Sequence, residues 1–401
     1  YVHIPFCAAK CAYCDFLSAP ADEETRAAYV KALAREIACD AREDLAQTQD
    51  LCVVSVYFGG GTPTCLAPEQ LAFLLDEVRR AYPLADDCEI TLEANPGTVN
   101  EKGLRLLRSA GFNRISLGVQ SFIDRELKLL GRIYNVQEAR EAICFCRAAG
   151  FENMSLDLIS ALPGQTVEDF ALSLREAVLV APDHISVYSL ILEDGTPFAA
   201  AAAAEGDRTV LHLPDGTYPL PDEETERAMY RECARILGMH GFERYEISNY
   251  ARPGRRSRHN SGYWTGRPYR GAGLGAASLL ELADGPHRLS VTRDLKEYLR
   301  LLGEADEACA EEAPTAFPWI GEDEVLTEGE QQEEFFFLGL RRMEGVLTAD
   351  YAARFGDDAW EAKRPVVDRL IGQGLLEETD GRLKLTERGI DLANQVFLEL
   401  M

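Results

Sequence analysis

The chain has 401 residues, 46% hydrophobic and 27% charged, the makeup of a folded globular protein with one large core and room for a smaller second domain. Its 67 acidic residues against 41 basic ones give a net charge of −26, a field that opposes nucleic acid and anionic membrane surfaces. No apolar run approaches the roughly 18 residues of a membrane span, and the first residues lack the basic start and apolar middle of a signal peptide.

Taken in order, short β-rich runs alternate with longer helical patterns. The pattern predicts strands at Tyr1–Ile4, Val53–Phe58, Glu89–Glu93, Arg114–Gly118, Asn153–Leu158 and His184–Leu190. It predicts helices between them, over Glu23–Arg42, Pro68–Tyr82, Gln137–Ala149 and Val167–Val180. Such alternation means an α/β fold with parallel strands and crossover helices. Pattern alone suits a doubly wound sheet and an incomplete barrel equally. The Ala- and Gly-rich stretch Phe198–Tyr218 reads as a loop or insertion, followed by a helix over Asp222–His240 and an extended piece at Arg244–Ile247. Gly303–Gly329 is acidic and carries Pro314 and Pro318, so it reads as a linker. The tail, Gln331–Met401, shows helical patterns and then a hairpin around Asp380-Gly381, as in a winged-helix module. It is not basic, which favours packing or partner binding over DNA. The expected division is residues 1–200, 201–302, a linker at 303–330 and a C-terminal module at 331–401.

The eleven cysteines are an odd number in a chain too long to need disulfide staples, and most sit singly in apolar runs, for example Cys39, Cys52, Cys88 and Cys233. This usage fits a reducing cytoplasm. Three cysteines differ. Cys7, Cys11 and Cys14 form a C-x₃-C-x₂-C in a short loop after the first strand. Three thiolates can hold one corner of an iron–sulfur cluster and leave the fourth iron open to the amino and carboxylate groups of a small ligand, whereas electron-transfer clusters take four cysteines. Structural zinc would want a closed set of four ligands, and only His3 is near, with Cys39 the next cysteine.

This spacing, with Tyr13 before the last cysteine, resembles the signature of the radical-SAM superfamily. Gly59-Gly60-Gly61-Thr62-Pro63 follows the second strand, where backbone without Cβ atoms admits a ligand closely. Glu93, Gln120 and Asp157 fall at the same C-terminal strand edge, where parallel β/α folds bind ligands.

Within the superfamily the chain is most similar to the HemW-type heme-chaperone family of the oxygen-independent coproporphyrinogen III oxidase-like branch, through Tyr1–Phe16, Phe58–Thr64, Leu92–Pro96, Arg114–Phe122, Leu156–Thr166 and Tyr245–Ser278. The resemblance implies a partial (β/α)6 barrel with a smaller α+β, winged-helix-like C-terminal domain. It also implies a 4Fe–4S cluster on Cys7, Cys11 and Cys14, and S-adenosylmethionine (SAM) contacts at Tyr1, Tyr13, Gly60, Gly61, Thr62, Glu93, Gln120, Arg132 and Asp157. Arg132 has the fork for a carboxylate, and Asp157 can accept from ribose hydroxyls. The oxidase continues its motif as C-x₂-C-x-C, whereas Phe16 stands two residues after Cys14 here.

Arg258-His259-Asn260-Ser261-Gly262-Tyr263-Trp264 matches the family's H-N-x-x-Y-W segment, which makes His259 the expected heme ligand. Arg255, Arg256 and Arg258 are the expected partners of heme propionates. A His-Asn pair between Gly-rich turns can equally serve the loop's own hydrogen bonds. Gly271-Ala272-Gly273-Leu274-Gly275 is a weak nucleotide-loop lookalike. The implied function is a cytoplasmic chaperone, peripheral to the membrane when it hands heme to an acceptor such as a membrane-bound respiratory enzyme. The alternative is a radical-SAM oxidase or methyltransferase acting on a tetrapyrrole. The expected electron donor is a flavodoxin or ferredoxin, and no nucleic-acid partner is expected.

Overall fold

The computed structural model describes residues 1–48, 50–203, 209–304 and 317–401. Its main sheet begins with six parallel strands, β1 (Val2–Ile4), β2 (Val53–Gly60), β3 (Leu84–Ala94), β4 (Arg114–Gln120), β5 (Asn153–Ser160) and β6 (His184–Ser189). Crossovers are made by α1 (Glu23–Gln47), α2 (Pro68–Ala81), α3 (Glu101–Ala110), the pair α4 (Asp124–Leu129) and α5 (Val136–Ala148), and α6 (Val167–Leu179). Strand order follows chain order, as in an open (β/α)6 barrel rather than a doubly wound sheet.

Local chemistry fixes where these helices start. The side chains of Asp22, Asn100, Asn135 and Thr166 each accept a hydrogen bond from the backbone N–H three residues on, contacts worth about 1 kcal/mol apiece. The strands alternate. Ile90 and Leu92 of β3 and Ile115, Leu117 and Val119 of β4 are buried in the core shared with the helices. Their neighbours Glu93, Arg114, Ser116, Gly118 and Gln120 line the barrel lumen. The apolar face provides the cohesion and the polar face is left for chemistry.

The segment read from sequence as a loop holds α7 (Pro197–Ala203) and a hairpin, β7 (Val210–Leu213) with β8 (Gly216–Pro219). Phe198, Ala202 and Leu211 from it bury a satellite core with Leu130, Ile159 and Leu162. Residues 204–208 lie outside the described residues. After α8 (Glu223–Met239), β9 (Glu243–Arg244) and β10 (Asn249–Ala251) extend the main sheet, with β10 antiparallel to β6. The short helix α9 (Arg258–Trp264) packs against β2.

The Gly-rich loop after α9 leads into a strand and is not a strand-to-helix turn; it covers the free edge of β1, where Ala272 accepts from His3 N at 2.8 Å and donates to Tyr1 O at 2.8 Å. Gly273 sits there at φ +105, and a Cβ on it would fall 2.6 Å from the His3 carbonyl oxygen.

A second sheet pairs β11 (Ala277–Leu282), β12 (Gly285–Val291) and β13 (Ile320–Val325), with α10 (Leu295–Glu304) between the last two. β13 falls inside the stretch read as a linker. Its acidic side chains are exposed on an edge strand, so its strand character comes from backbone pairing with β12 and not from an apolar alternation. The middle of that stretch, 305–316, lies outside the described residues.

The C-terminal module has its own core, with α11 (Glu328–Gly339), β14 (Val346–Leu347), α12 (Thr348–Phe355), α13 (Asp357–Gly372), the hairpin β15 (Leu376–Thr379) and β16 (Arg382–Leu385), α14 (Glu387–Asp391) and α15 (Ala393–Leu400). Helices packed with a three-stranded sheet, β14 paired to the β15–β16 hairpin, give the winged-helix-like form. The module docks on the barrel through backbone: Ile247 N donates to Arg341 O and Met343 N to Tyr245 O, both at 3.1 Å. Beside this seam the Arg341 guanidinium lies 4.6 Å from the Trp264 ring centroid.

Candidate functional site

The loop after β1 and the C-terminal ends of β2 to β6 enclose a cavity of about 380 Å³. Cys7, Cys11, Tyr13, Cys14, Gly60, Gly61, Thr62, Glu93, Gln120, Arg132 and Asp157, all singled out from sequence, share its wall. Tyr1 and His259 do not.

The cysteine loop is closed at its base by a bridge between Phe6 and Ala19 and held by Ala12 N donating to Leu130 O at 3.3 Å. The Gly-rich turn is tied to it: Gly61 N donates to Ile4 O at 2.9 Å, and Thr62 N to Phe6 O at 2.7 Å. Gly60 takes φ +113, where a Cβ would stand 2.6 Å from the His3 ring, and a Cβ on Gly61 would stand 2.7 Å from the Phe6 carbonyl oxygen. Thr62 Oγ1 lies 3.5 Å from Cys7 Sγ and accepts from Asn95 Nδ2 at 2.7 Å.

Deeper in the lumen, Tyr57 OH donates to Glu93 Oε1 at 2.6 Å, and Gly60 N to Glu93 Oε2 at 3.3 Å. Burial pushes the Glu93 carboxyl up to about 7, against the Tyr57 hydrogen bond that favours its charged form. Ser116 Oγ lies 3.2 Å from both oxygens of Asp157, whose carboxyl burial also pushes up. Gln120 sits at φ +67 beside a register shift between β4 and β5, which turns its side chain into the cavity. The Arg132 guanidinium donates to Cys11 Sγ at 3.1 Å, to Gly118 O at 3.0 Å, to Tyr134 OH at 2.9 Å and to Asn95. It already joins the cysteine loop to the third and fourth strands.

Sequence reasoning did not single out Tyr57, Asn95, Arg114 or Ser116. The signal was present as alternation: Glu89, Thr91, Glu93 and Asn95 in one run, and Arg114, Ser116, Gly118 and Gln120 in the next, put a polar or small residue at every second position.

His259 is buried in α9, whose first backbone N–H groups are held by Glu89: Oε1 accepts from Arg258 N at 3.0 Å and from His259 N at 3.3 Å. Its Nδ1 lies 3.1 Å from Ser55 Oγ and its Nε2 2.9 Å from Tyr263 OH. The ring stacks on Tyr57 with centroids 4.8 Å apart. Burial holds its pKa well below the usual histidine value, so the imidazole is neutral. His259 faces a second cavity, also of about 380 Å³ and mostly apolar, together with Tyr1, Val56, Arg267 and Tyr269. The adjacent Asn260 lines the first cavity, so α9 contributes to both. Tyr1 OH is 3.0 Å from His3 Nδ1. The arginines expected to meet propionates face carboxylates of the chain itself: Arg255 lies 3.9 Å from Asp183, Arg256 3.8 Å from both Glu243 and Glu344, and Arg258 2.7 Å from Asp87.

Two family models match, the Radical SAM superfamily over residues 1–177 and the HemN C-terminal domain over residues 326–392. A heme chaperone HemW from Bacillus subtilis (strain 168) is 36% identical over 99% of this chain and 97% of its own length. The chain belongs to the HemW family. The HemW of Escherichia coli (strain K12) is 35% identical over 97% of this chain and 94% of its own. Coproporphyrinogen III oxidase (HemN) of Escherichia coli superposes with a TM-score of 0.79 over 100% of this chain and 89% of its own, at 23% identity, which shows the shared fold.

Membership of this radical-SAM family carries with it a 4Fe–4S cluster and SAM, and the residues present fit both. Cys7, Cys11 and Cys14 line one cavity wall, the three-thiol donor set of a cluster with one open iron. The glycine turn beside them leaves room that any Cβ would fill, and hydrogen-bond acceptors lie farther in.

Proposed function

We propose that this protein is a heme chaperone that binds heme and passes it to an acceptor protein, with a cluster and SAM bound in the barrel lumen. In this reading Cys7, Cys11 and Cys14 hold the cluster, and Tyr13, Gly60, Gly61, Thr62, Glu93, Gln120, Arg132 and Asp157 hold SAM. When bound, the two groups together supply one-electron chemistry. The chain's residues orient them: Glu93 presents a carboxylate, Arg132 braces Cys11, and Asp157 offers acceptors to hydroxyls. The observation that carries the chaperone reading is His259, a neutral imidazole on the wall of an apolar cavity, in a chain similar over its whole length to proteins named heme chaperone. A neutral ring nitrogen is what iron needs, and heme would take it from one of two existing hydrogen bonds.

The test is an optical titration of the anaerobically reconstituted protein with heme, wild type against His259→Ala. The expected result is a Soret band saturating near one heme per chain, shifted or lost in the variant. Weak and identical binding by both would overturn the His259 assignment.

The well-formed lumen cavity favours a second reading, a radical-SAM enzyme acting on a tetrapyrrole. Its mark would be 5′-deoxyadenosine formed in step with conversion of coproporphyrinogen III under anaerobic reduction. The acceptor and the electron donor belong to the same proposal, with a respiratory enzyme and a flavodoxin or ferredoxin as the candidates. No helix among the described residues is long and apolar enough to cross a membrane.

A further inference from the structure

A cleft of about 780 Å³ separates α8 from the C-terminal module, well apart in the chain from the lumen residues. Four arginines line it: Arg227 and Arg231 from successive turns of α8, Arg244 from β9, and Arg388 from α14. In a chain of net charge −26 this is an unusual concentration of positive charge. Asp391 answers two of them, lying 3.3 Å from Arg227 Nε and 3.6 Å from Arg231. Exposed Glu387 stands at the edge.

The other two guanidiniums have no carboxylate in contact, although Glu246 and Asp391 act on Arg244 from farther off. Arg244 donates to the Ile247 carbonyl at 2.6 Å and lies 4.3 Å from the Tyr230 ring centroid, and among the described residues it forms no ion pair. Arg388 donates to Gln373 O at 3.0 Å, and it too forms no ion pair among the described residues. Arg244 is half-buried, and its contacts are carbonyls and ring faces with carboxylates only at a distance, so an anion in the cleft would add the charge-assisted contact it lacks. The forks approach from three elements. A carboxylate offers two oxygens in a plane, whereas a phosphate offers three in a tetrahedron and can accept from all three directions.

We propose that this cleft is a binding site for a phosphate-bearing ligand. The phosphate belongs either to a soluble ester or to the headgroup of an anionic phospholipid, and the two sources give different experimental results. The site is independent of the lumen and of the heme reading.

The test is calorimetric titration of the full chain with inorganic pyrophosphate at low salt, wild type against Arg231→Gln/Arg388→Gln. Both side chains are exposed, and thermal unfolding of each protein separates lost binding from lost fold. In parallel, both proteins are sedimented with phosphatidylglycerol and phosphatidylcholine vesicles. The expected result is saturable pyrophosphate binding, weakened about tenfold or more in the double variant at an unchanged Tm. Glu387→Gln should tighten it. Sedimentation with phosphatidylglycerol alone, dependent on the same arginines, identifies a lipid headgroup; pyrophosphate binding without vesicle binding identifies a soluble ester. Binding to neither probe, or equal binding by wild type and double variant, overturns the proposal.

Discussion

The Tyr57 ring stacks on the His259 imidazole with centroids 4.8 Å apart, while its hydroxyl donates to Glu93 at 2.6 Å. One side chain therefore touches both the carboxylate of the lumen cavity and the imidazole of the second cavity. The two sites share a wall.

Tyr57→Phe keeps the stacked ring and removes the hydroxyl that favours the Glu93 carboxylate. SAM affinity, measured by equilibrium dialysis, should fall about tenfold, the scale of a lost hydrogen bond to a charged group. Heme titration should be unchanged. In the wild type, SAM affinity should also weaken as pH drops through about 7, because protonation of Glu93 removes the charge that faces the ligand's amino group. A flat SAM profile across that range would remove Glu93 from the assignment.

Ser55 and Tyr263 occupy the two nitrogens of His259, so under the proposed heme reading iron would have to displace one of them. If iron takes Nδ1, Ser55→Ala should tighten heme about threefold or more, while Tyr263→Phe should weaken it by releasing the bond that orients the ring. The opposite pattern would place iron on Nε2. Heme titrations of both variants beside His259→Ala decide the matter.

The three cysteines and Cys65 provide a contrast within a few residues of one another in space. Cys7→Ala, Cys11→Ala or Cys14→Ala should each abolish stable reconstitution to about four irons per chain. Cys65 is only partly exposed and does not line the lumen cavity. Cys65→Ser should therefore retain iron content and visible absorbance. Loss of iron in that variant would enlarge the ligand set.

Glu36 and Asp40 are buried together on α1, and burial followed by mutual repulsion pushes the Glu36 carboxyl up. A carboxyl raised in the folded state binds its proton more tightly there than in the unfolded chain. Its stabilising contribution is full below the ordinary carboxylate range and disappears as pH rises through the folded value. The apoprotein should therefore melt lower at about pH 8.5 than at about pH 6, by roughly 2 °C or more. Glu36→Gln, which keeps an acceptor for Tyr298 OH and Gly273 N, should flatten that dependence. Differential scanning calorimetry at the two pH values is the check.

What could be read from sequence follows from how local the signal is. The six parallel strands and the Asp380-Gly381 hairpin announce themselves within a few residues, and Asp380 and Gly381 indeed take φ of 52 and 72. Cys7, Cys11 and Cys14 stand out within eight residues as a C-x₃-C-x₂-C, and the Gly-rich turn after the second strand adds to that reading. Barrel against doubly wound sheet was not legible, because strand order is a property of packing between distant segments. β13 was missed because its acidic residues hide a strand stabilised by backbone pairing with β12. The engagement of both His259 nitrogens was also invisible: Ser55 is 204 residues away in the chain.

The alternation of Arg114, Ser116, Gly118 and Gln120 with Ile115, Leu117 and Val119 separates two tasks along one strand. Exchanges on the lumen side alter what the barrel holds while leaving the helix-facing layer intact. The lumen can therefore be refitted for a different occupant by changing every second residue, without having to reinvent the vessel.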